Sequence, residues 1–298
     1  MTKRSYSLTI LVPCYNESKS LMVLLPKLVK FCEDNKIYLL IVNDGSIDNS
    51  LKIINSYISE SKLSNVISHH NNLGYGAALK TGIHNAQTDY IVTFDADGQH
   101  SIRDILRLHK HLISTNSDLV IGTRKANEKN LYRSFGKWII RRLTSLLIGL
   151  DVKDLNSGIK IYKKDTLVPM LQFVPNNMAF SDLIVIIFFT ERKVISELDV
   201  SINKRIAGQS SINIKVFFET ISAIFNAVIF FKPMRVFSAI SLILFLGGLF
   251  WGSYIFSFGG GLSIGAFLLI TLSALSIFFG VLASQISNLW RAVNERTK

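Results

Sequence analysis

Ser7-Leu-Thr-Ile-Leu-Val12-Pro13-Cys14-Tyr15-Asn16-Glu17 and Ile37-Tyr-Leu-Leu-Ile-Val42-Asn43-Asp44-Gly45-Ser46 frame the stretch that decides the fold. Each opens as a continuous apolar run and breaks into a polar loop, and between them Leu21, Leu24, Leu25, Leu28, Val29 and Cys32 recur at helical spacing. Buried parallel strands read as uninterrupted apolar runs because helices cover both faces of the sheet, so the pattern is a βαβ unit. Pro26 falls inside the helix and is expected to kink or break it, since proline lacks the N–H that the helical ladder needs.

Outward from this unit the same alternation continues. A short third strand is expected at residues 66–68, a helix at 76–86, a fourth strand at 90–94, a helix at 102–114 and a fifth strand at 118–121. Ligands of open α/β sheets bind outside the carboxyl ends of the strands, so Asp44, Asp95, Asp97 and Arg124 are expected to face one crevice. Residues 125–130 read as a polar loop. Residues 133–150 form a basic amphipathic stretch, with Trp138, Ile139, Ile140, Leu143, Leu146 and Leu147 beside Lys137, Arg141 and Arg142. Such a helix suits a membrane interface, and packing on the domain's own core explains it nearly as well.

From residue 236 to 290 there is no Lys, Arg, Asp, Glu or His. One helix crosses the hydrocarbon core with about 20 apolar residues, so the length predicts two helices, 236–257 and 264–288, joined by the turn Phe258-Gly-Gly-Gly261-Leu-Ser263. Lys232 and Arg235 before the pair and Arg291, Arg296 and Lys298 after it place both flanks, and both termini, in the cytoplasm by the positive-inside rule. A buried hairpin of a soluble protein is the competing reading. The expected organisation is a cytosolic α/β domain at 1–211, an interfacial amphipathic helix at 212–235, the hairpin at 236–290 and a cytosolic tail at 291–298. An integral membrane protein is therefore expected, of the inner or plasma membrane if the source is bacterial.

The 298 residues carry 33 Lys and Arg against 21 Asp and Glu, a formal charge of +12. The hairpin contributes none of it. An excess of that size suits nucleic acid or anionic lipid, and with two membrane helices present lipid is the simpler partner, so no nucleic-acid role is expected. Homo-oligomerisation is left open. Cys14 and Cys32 each lie inside an apolar element, which implies neither a disulfide framework nor a metal site.

The chemistry concentrates in Asp95-Ala96-Asp97-Gly98-Gln99-His100. Two carboxylates one residue apart at a strand end are hard oxygen ligands suited to Mg²⁺ or Mn²⁺, and Gln99 adds a neutral oxygen. Acidic turns are common, so this motif alone leaves metal binding open. His100 reads as a solvated turn histidine. His69-His70 has no acidic or Cys neighbour in sequence and is not read as a metal site, and Gly74-Tyr-Gly76 reads as a helix entry that needs close backbone approach.

Taken together, Val12-Pro13-Cys14-Tyr15-Asn16-Glu17, Asn43-Asp44-Gly45-Ser46 and Asp95-Ala-Asp97-Gly-Gln99-His100 resemble, in order and spacing, the GT-A (Rossmann-like) α/β domain of family 2 glycosyltransferases. Gly122-Thr-Arg124, Asp154-Leu-Asn-Ser157-Gly158-Ile-Lys160 and Arg205-Ile-Ala-Gly208-Gln-Ser210 resemble the further motifs of its polyprenyl-phosphate branch, which includes the dolichyl-phosphate mannose synthases. The resemblance implies an inverting transfer of a sugar from a UDP- or GDP-sugar to undecaprenyl or dolichyl phosphate. It implies nucleotide-sugar contacts at Pro13, Tyr15, Glu17, Asp44, Asp95, Ala96 and Arg124. It also implies a Mg²⁺ or Mn²⁺ held by Asp95, Asp97 and Gln99, acceptor-phosphate contacts at Arg133, Arg205 and Ser210, and catalytic roles for Asp97, Arg205 and Asp154, the last a proposed base.

The sequence departs from that pattern at Asn43, where Asp is usual, at Ile159 and Lys160, which replace an aromatic residue and Arg, and at Ser211, which replaces Lys. None of these removes an expected metal ligand. A processive polysaccharide synthase would carry a Gln-x-x-Arg-Trp motif and more spans, and this chain has neither. An inactive membrane scaffold is opposed by the joint presence of Asp44, Asp95, Asp97 and Gln99.

Overall fold

The computed structural model describes residues 7–124, 149–150, 152–203, 205–206 and 214–296. The expected loop at 125–130, nearly all of the basic stretch at 133–150, Arg133 and Ser210 lie outside them, and of Arg124 only its place in a strand is described.

The βαβ reading holds. Strand β1 (Leu8–Cys14), helix α1 (Ser18–Asn35) and strand β2 (Tyr38–Asn43) are followed by α2 (Ser50–Ile58), β3 (Ser64–Ser68), α3 (Tyr75–Asn85), β4 (Tyr90–Thr93), α4 (Arg103–Ser114) and β5 (Leu119–Arg124). Further on come β6 (Lys160–Lys163), α5 (Lys164–Leu167), a 3₁₀ turn at Val168–Phe173, α6 (Phe180–Thr190) and β7 (Ile195–Val200). The seven strands form one sheet in the order β3-β2-β1-β4-β6-β5-β7. All neighbours are parallel except that β6 runs antiparallel to both β4 and β5.

The alternate residues Leu8, Ile10, Val12 and Cys14 of β1 join Leu21, Leu25, Leu28 and Cys32 of α1 and Ile105, Leu108 and Leu112 of α4 in one buried core. Alternation along a strand sends the next residue to the opposite face. There Leu11 meets α3 so closely that a Cβ on Gly82 would lie 2.1 Å from its Cδ1.

Helix α1 runs unbroken through Pro26, which corrects the expected break. Pro26 is on the exposed face, so the carbonyl that loses its donor one turn back is open to water, and the buried Leu21, Leu24, Leu25 and Leu28 keep the axis seated on the sheet.

The chain divides into two compact units, residues 1–141 with 150–223, and residues 142–149 with 224–298. The second contains two helices long and apolar enough to cross a membrane, α8 (Pro233–Ser257) and α9 (Ile264–Arg296), after α7 (Ile214–Phe231), which begins in the first unit. Only 17% and 22% of the two apolar windows are buried, against what a core hairpin of a soluble protein would show. Gly259 (φ +77°) takes the left-handed conformation that ends α8, and the amide of Gly260 returns to the Ile255 carbonyl at 3.1 Å. The helices run antiparallel on small residues: the Ser241 and Ser273 hydroxyls bond at 2.9 Å, Ser276 donates to the Phe237 carbonyl at 3.0 Å, and Gly248 faces Ala266 and Ile270.

Candidate active site

Asp95 and Asp97 follow β4, so the strand's parallel neighbour β1 brings the Pro13 to Glu17 loop to the same sheet edge. Asp97 is 6% exposed. Its Oδ1 accepts the Gln99 amide at 2.9 Å and its Oδ2 receives Arg205 Nη2 at 2.8 Å. Backbone contacts lay Ile202, Asn203 and Ile206 along this loop: His100 and Ile202 form an antiparallel bridge, the Asn203 amide donates to Gln99 O at 2.8 Å and that of Ile206 to Asp97 O at 3.1 Å. Glu17, half-buried, has its carboxyl pushed up by desolvation, with the negative charge of Asp97 adding to it and the Ser20 hydroxyl and Arg205 opposing it. The expected donor residue Glu17, metal residue Asp97 and acceptor residue Arg205 are therefore neighbours.

Asp95 is held differently. Tyr75, the first residue of α3, donates its hydroxyl to Asp95 Oδ1 at 3.1 Å. On the other side a Cβ added to Gly158 would lie 1.8 Å from Asp95 Oδ2, so only glycine leaves room for this carboxylate. Burial raises the Asp95 carboxyl, His100 opposes that rise, and the adjacent negative charge of Asp97 adds to it. Two carboxylates this close, one of them resisting ionisation and the other already bridging to an arginine, fit a divalent cation of the kind that takes one or two carboxylates and completes its shell with water and phosphate oxygens. Among the described residues no group of three or more His, Cys, Asp or Glu gathers that could hold a metal by itself.

The Gly122-Thr-Arg124 and Asp154 to Lys160 motifs also meet. The Gly122 amide donates to Ile159 O at 3.0 Å and the Ser157 hydroxyl to Gly122 O. Asp154 is buried at 8% exposed. Lys160, considered from sequence only as a replacement for Arg near the acceptor, is fully buried; its Nζ donates to Ser157 O at 2.6 Å, to Ser181 O at 3.0 Å and to the Ser181 hydroxyl. Its charge helps to hold the Asp95 carboxyl down.

Two histidine expectations are corrected. His100 is buried, 6% exposed, with its ring edge-on to Phe94 and its backbone bridged to Ile202. His69 does have an acidic partner: its Nδ1 lies 2.7 Å from Asp44 Oδ1, a residue on the neighbouring strand and invisible to a search along the chain. Asp44 itself, expected at the nucleotide, has both oxygens engaged by protein donors. Tyr15 is 44% exposed and open to a ligand, whereas Pro13 and Ala96 are buried. The helix-entry reading of Gly74-Tyr-Gly76 is borne out, since a Cβ on Gly74 would lie 2.4 Å from the Asn176 carbonyl oxygen.

The model of the glycosyl transferase family 2 matches residues 9–168, more than half of the chain and the whole of this crevice except the 202–206 strap. The chain belongs to glycosyl transferase family 2. A second model, of the GtrB C-terminal hairpin, matches residues 232–289, over both apolar helices. Among relatives of this family 2 member, the UDP-N-acetylglucosamine–dolichyl-phosphate N-acetylglucosaminyltransferase of Methanococcus voltae is 34% identical over 53% of this chain and 70% of its own. The undecaprenyl-phosphate 4-deoxy-4-formamido-L-arabinose transferase of Photorhabdus laumondii is 26% identical over 97% of this chain and 91% of its own. In fold it is similar to glucosyl-3-phosphoglycerate synthase from Mycobacterium tuberculosis, solved with Mn²⁺, UDP-glucose and phosphoglyceric acid, at a TM-score of 0.58 and 14% identity over 74% of this chain and 79% of that one. The family 2 assignment makes the protein a glycosyltransferase with the expected GT-A fold.

Proposed function

We propose that this glycosyltransferase moves a sugar with inversion from a UDP- or GDP-sugar to a polyprenyl phosphate at the cytosolic face of a membrane. The observation that carries the reading is the convergence of Glu17, Asp95, Asp97 and Arg205 at the carboxyl ends of β1 and β4, in a chain that also bears an apolar hairpin. Polyprenyl-phosphate acceptors in the names of relatives aligned over up to 97% of the chain support the acceptor class.

Asp95 and Asp97, with Gln99 beside them, would hold Mg²⁺ or Mn²⁺, whose contribution when bound is charge compensation for the diphosphate leaving group. Arg205 adds a permanent positive charge next to Asp97, and its planar fork matches a phosphate as well as a carboxylate. The acceptor is a phosphate monoester with a second pKa of about 6, mostly dianionic at neutral pH, so the attacking oxygen needs no strong base. Asp154 then serves to orient the acceptor side rather than to remove a proton. Arg124, Arg133 and Ser210 complete the proposed phosphate contacts.

The test is a screen of UDP- and GDP-sugars with purified protein and undecaprenyl or dolichyl phosphate. Transfer that stops on chelation, and is lost in a folded Asp97→Asn variant, is the expected result. Full turnover by that variant in chelator sinks the metal assignment, and transfer only to a water-soluble acceptor sinks the lipid one.

A further inference from the structure

Asp104, in the first turn of α4, is 2% exposed. An acidic residue there ordinarily serves the free amides at the start of its own helix, but α4 has no side-chain cap. The carboxylate reaches out of the helix instead: Oδ2 accepts the amide of Ser201, the first residue beyond β7, at 2.8 Å, and Oδ1 takes Nη1 of Arg107. From that clamp the chain runs back along the loop that bears the acidic pair, in antiparallel order. Ile202 bridges to His100, the Asn203 amide reaches Gln99 O and the Ile206 amide reaches Asp97 O. Between the last two contacts stands Arg205, with Nη2 on Asp97 Oδ2. The Ile206 side chain closes over Gly98, where φ is +73° and a Cβ would lie 2.2 Å from Ile206 Cδ1.

We propose that Asp104 is a positioning residue for the transfer: by holding the Ser201 amide it fixes where the chain leaves β7, and so sets Arg205 against Asp97 and the phosphate it meets there. The proposal rests on the transferase reading above. Arginine has much rotamer freedom to lose, and a backbone already laid in place lowers what must be ordered when the phosphate arrives. Ile202, Asn203 and Ile206 meet the loop through backbone atoms, which any sequence offers. Asp104 is the side chain that selects their register, because it grips the amide at the point where the pairing of β7, Val200 beside Arg124, has just stopped. Arg107 is a weaker partner. Its side chain is 52% exposed, so a pair of that kind contributes little by itself.

The experiment is a double-mutant cycle of Asp104→Ala and Arg205→Ala in the full chain, with Asp104→Asn and Arg107→Ala as companions, read by amide exchange and by transfer. Exchange at residues 203 and 206 should rise on the order of tenfold or more in Asp104→Ala, the scale of one hydrogen bond to a charged group, and stay protected in Arg205→Ala. Transfer should fall on the order of tenfold or more in each of these two variants. Adding Asp104→Ala to Arg205→Ala should cost almost nothing further, since the first acts through the second. Asp104→Asn keeps an oxygen for the Ser201 amide and should restore most of the transfer, and Arg107→Ala should leave it unchanged. A residue needed only for stability would cost the same factor with or without Arg205, and that additivity overturns the proposal. So does wild-type exchange at 203 and 206 in Asp104→Ala, and so does a loss in Asp104→Asn or Arg107→Ala as deep as in Asp104→Ala, which puts the ion pair in control. If Asp104→Ala does not fold, Ser201→Pro decides, because it removes the clamped donor just after the extended Val200, where proline is tolerated: wild-type exchange and transfer in that variant overturn the proposal. Exchange needs no substrate, so a mistaken transferase reading shows instead as a wild type that fails to transfer while the exchange results stand.

Discussion

Arg205 lies 2.8 Å from Asp97, with 29% of its side chain exposed. Sequence position alone would assign it to the acceptor, apart from the donor residues, but the ion pair joins the two sets. Arg205→Ala is therefore expected to weaken donor binding as well as raise the apparent KM for lipid, each by tenfold or more, since a charge-assisted contact is worth about 1.5–3 kcal/mol. Titrating a sugar nucleotide into the variant without lipid decides it; wild-type donor affinity would return Arg205 to the acceptor alone. Gly158→Ala tests the other wall of the site. Its methyl would need the space of Asp95 Oδ2, so turnover should fall at least a hundredfold while the thermal midpoint drops by only a few degrees, the scale of local overpacking. A variant with normal turnover would mean the carboxylate has other room. The acidic pair, the Pro13 to Glu17 loop and Asp44 were legible in the sequence because each ends a readable strand, and the Asp154 and Arg205 motifs only through their resemblance to the family. His69 on Asp44, Tyr75 on Asp95 and buried Lys160 were not, because their partners lie 25, 20 and 21 residues away along the chain.

Of the elements, β1 and β2 were the most readable because they are apolar on both faces. Strand β6 was not: four residues, Lys160 to Lys163, begin and end in lysine and run antiparallel between two strands far away in sequence. In β7, Ile195-Ser-Glu-Leu-Asp-Val200, the apolar residues do not alternate regularly, and α6 is buried on nearly every side, so it shows no amphipathic period. Cys14 and Cys32 report on the packing of β1 and α1. Burial raises their thiols to about 11 and about 12. For an acid raised by folding, the stabilisation is present below the unfolded value of 9.0 and is lost as pH rises toward 11–12, so the domain should weaken across that interval. Neither thiol should react with iodoacetamide at pH 8 until denaturant is added; rapid labelling of the native protein would show that α1 does not stay seated. In the hairpin, a Cβ on Gly248 would lie 2.9 Å from Ile270 Cγ1 and 3.1 Å from Ala266 O. Gly248→Leu should lower the thermal midpoint in detergent, whereas Gly247→Leu, with nothing within 4 Å of its Cβ position, should not. Equal effects would mean the helices do not pack on that face.

On the scale of the whole molecule, the charge of +12 lies entirely outside the 55-residue uncharged stretch, and basic residues stand at both of its ends. Both termini should accordingly lie in the cytoplasm. A reporter fused after Lys298 that is active only in cytoplasm should give full signal, and protease access to that end from outside intact cells would reverse the orientation and remove the cytosolic donor with it. The two apolar helices were legible from composition alone. The closure of the sheet was not, and it carries a consequence of its own. Strands β5 and β6 are adjacent and antiparallel, and the Gly122 amide bonds to the Ile159 carbonyl where the chain leaves and where it returns. The chain after Arg124 thus returns to the strand next to the one it left, and on its return Ser157 bonds to Gly122 and Gly158 lies against Asp95. The entropy of closing such an excursion grows only with the logarithm of its length, each doubling costing about 0.6 kcal/mol. Insertions there leave the sheet's register untouched. By that arithmetic the chain can be lengthened ahead of Asp154 at little cost, whereas Ser157 and Gly158, tied to Gly122 and pressed against Asp95, belong to the scaffold that holds the carboxylate.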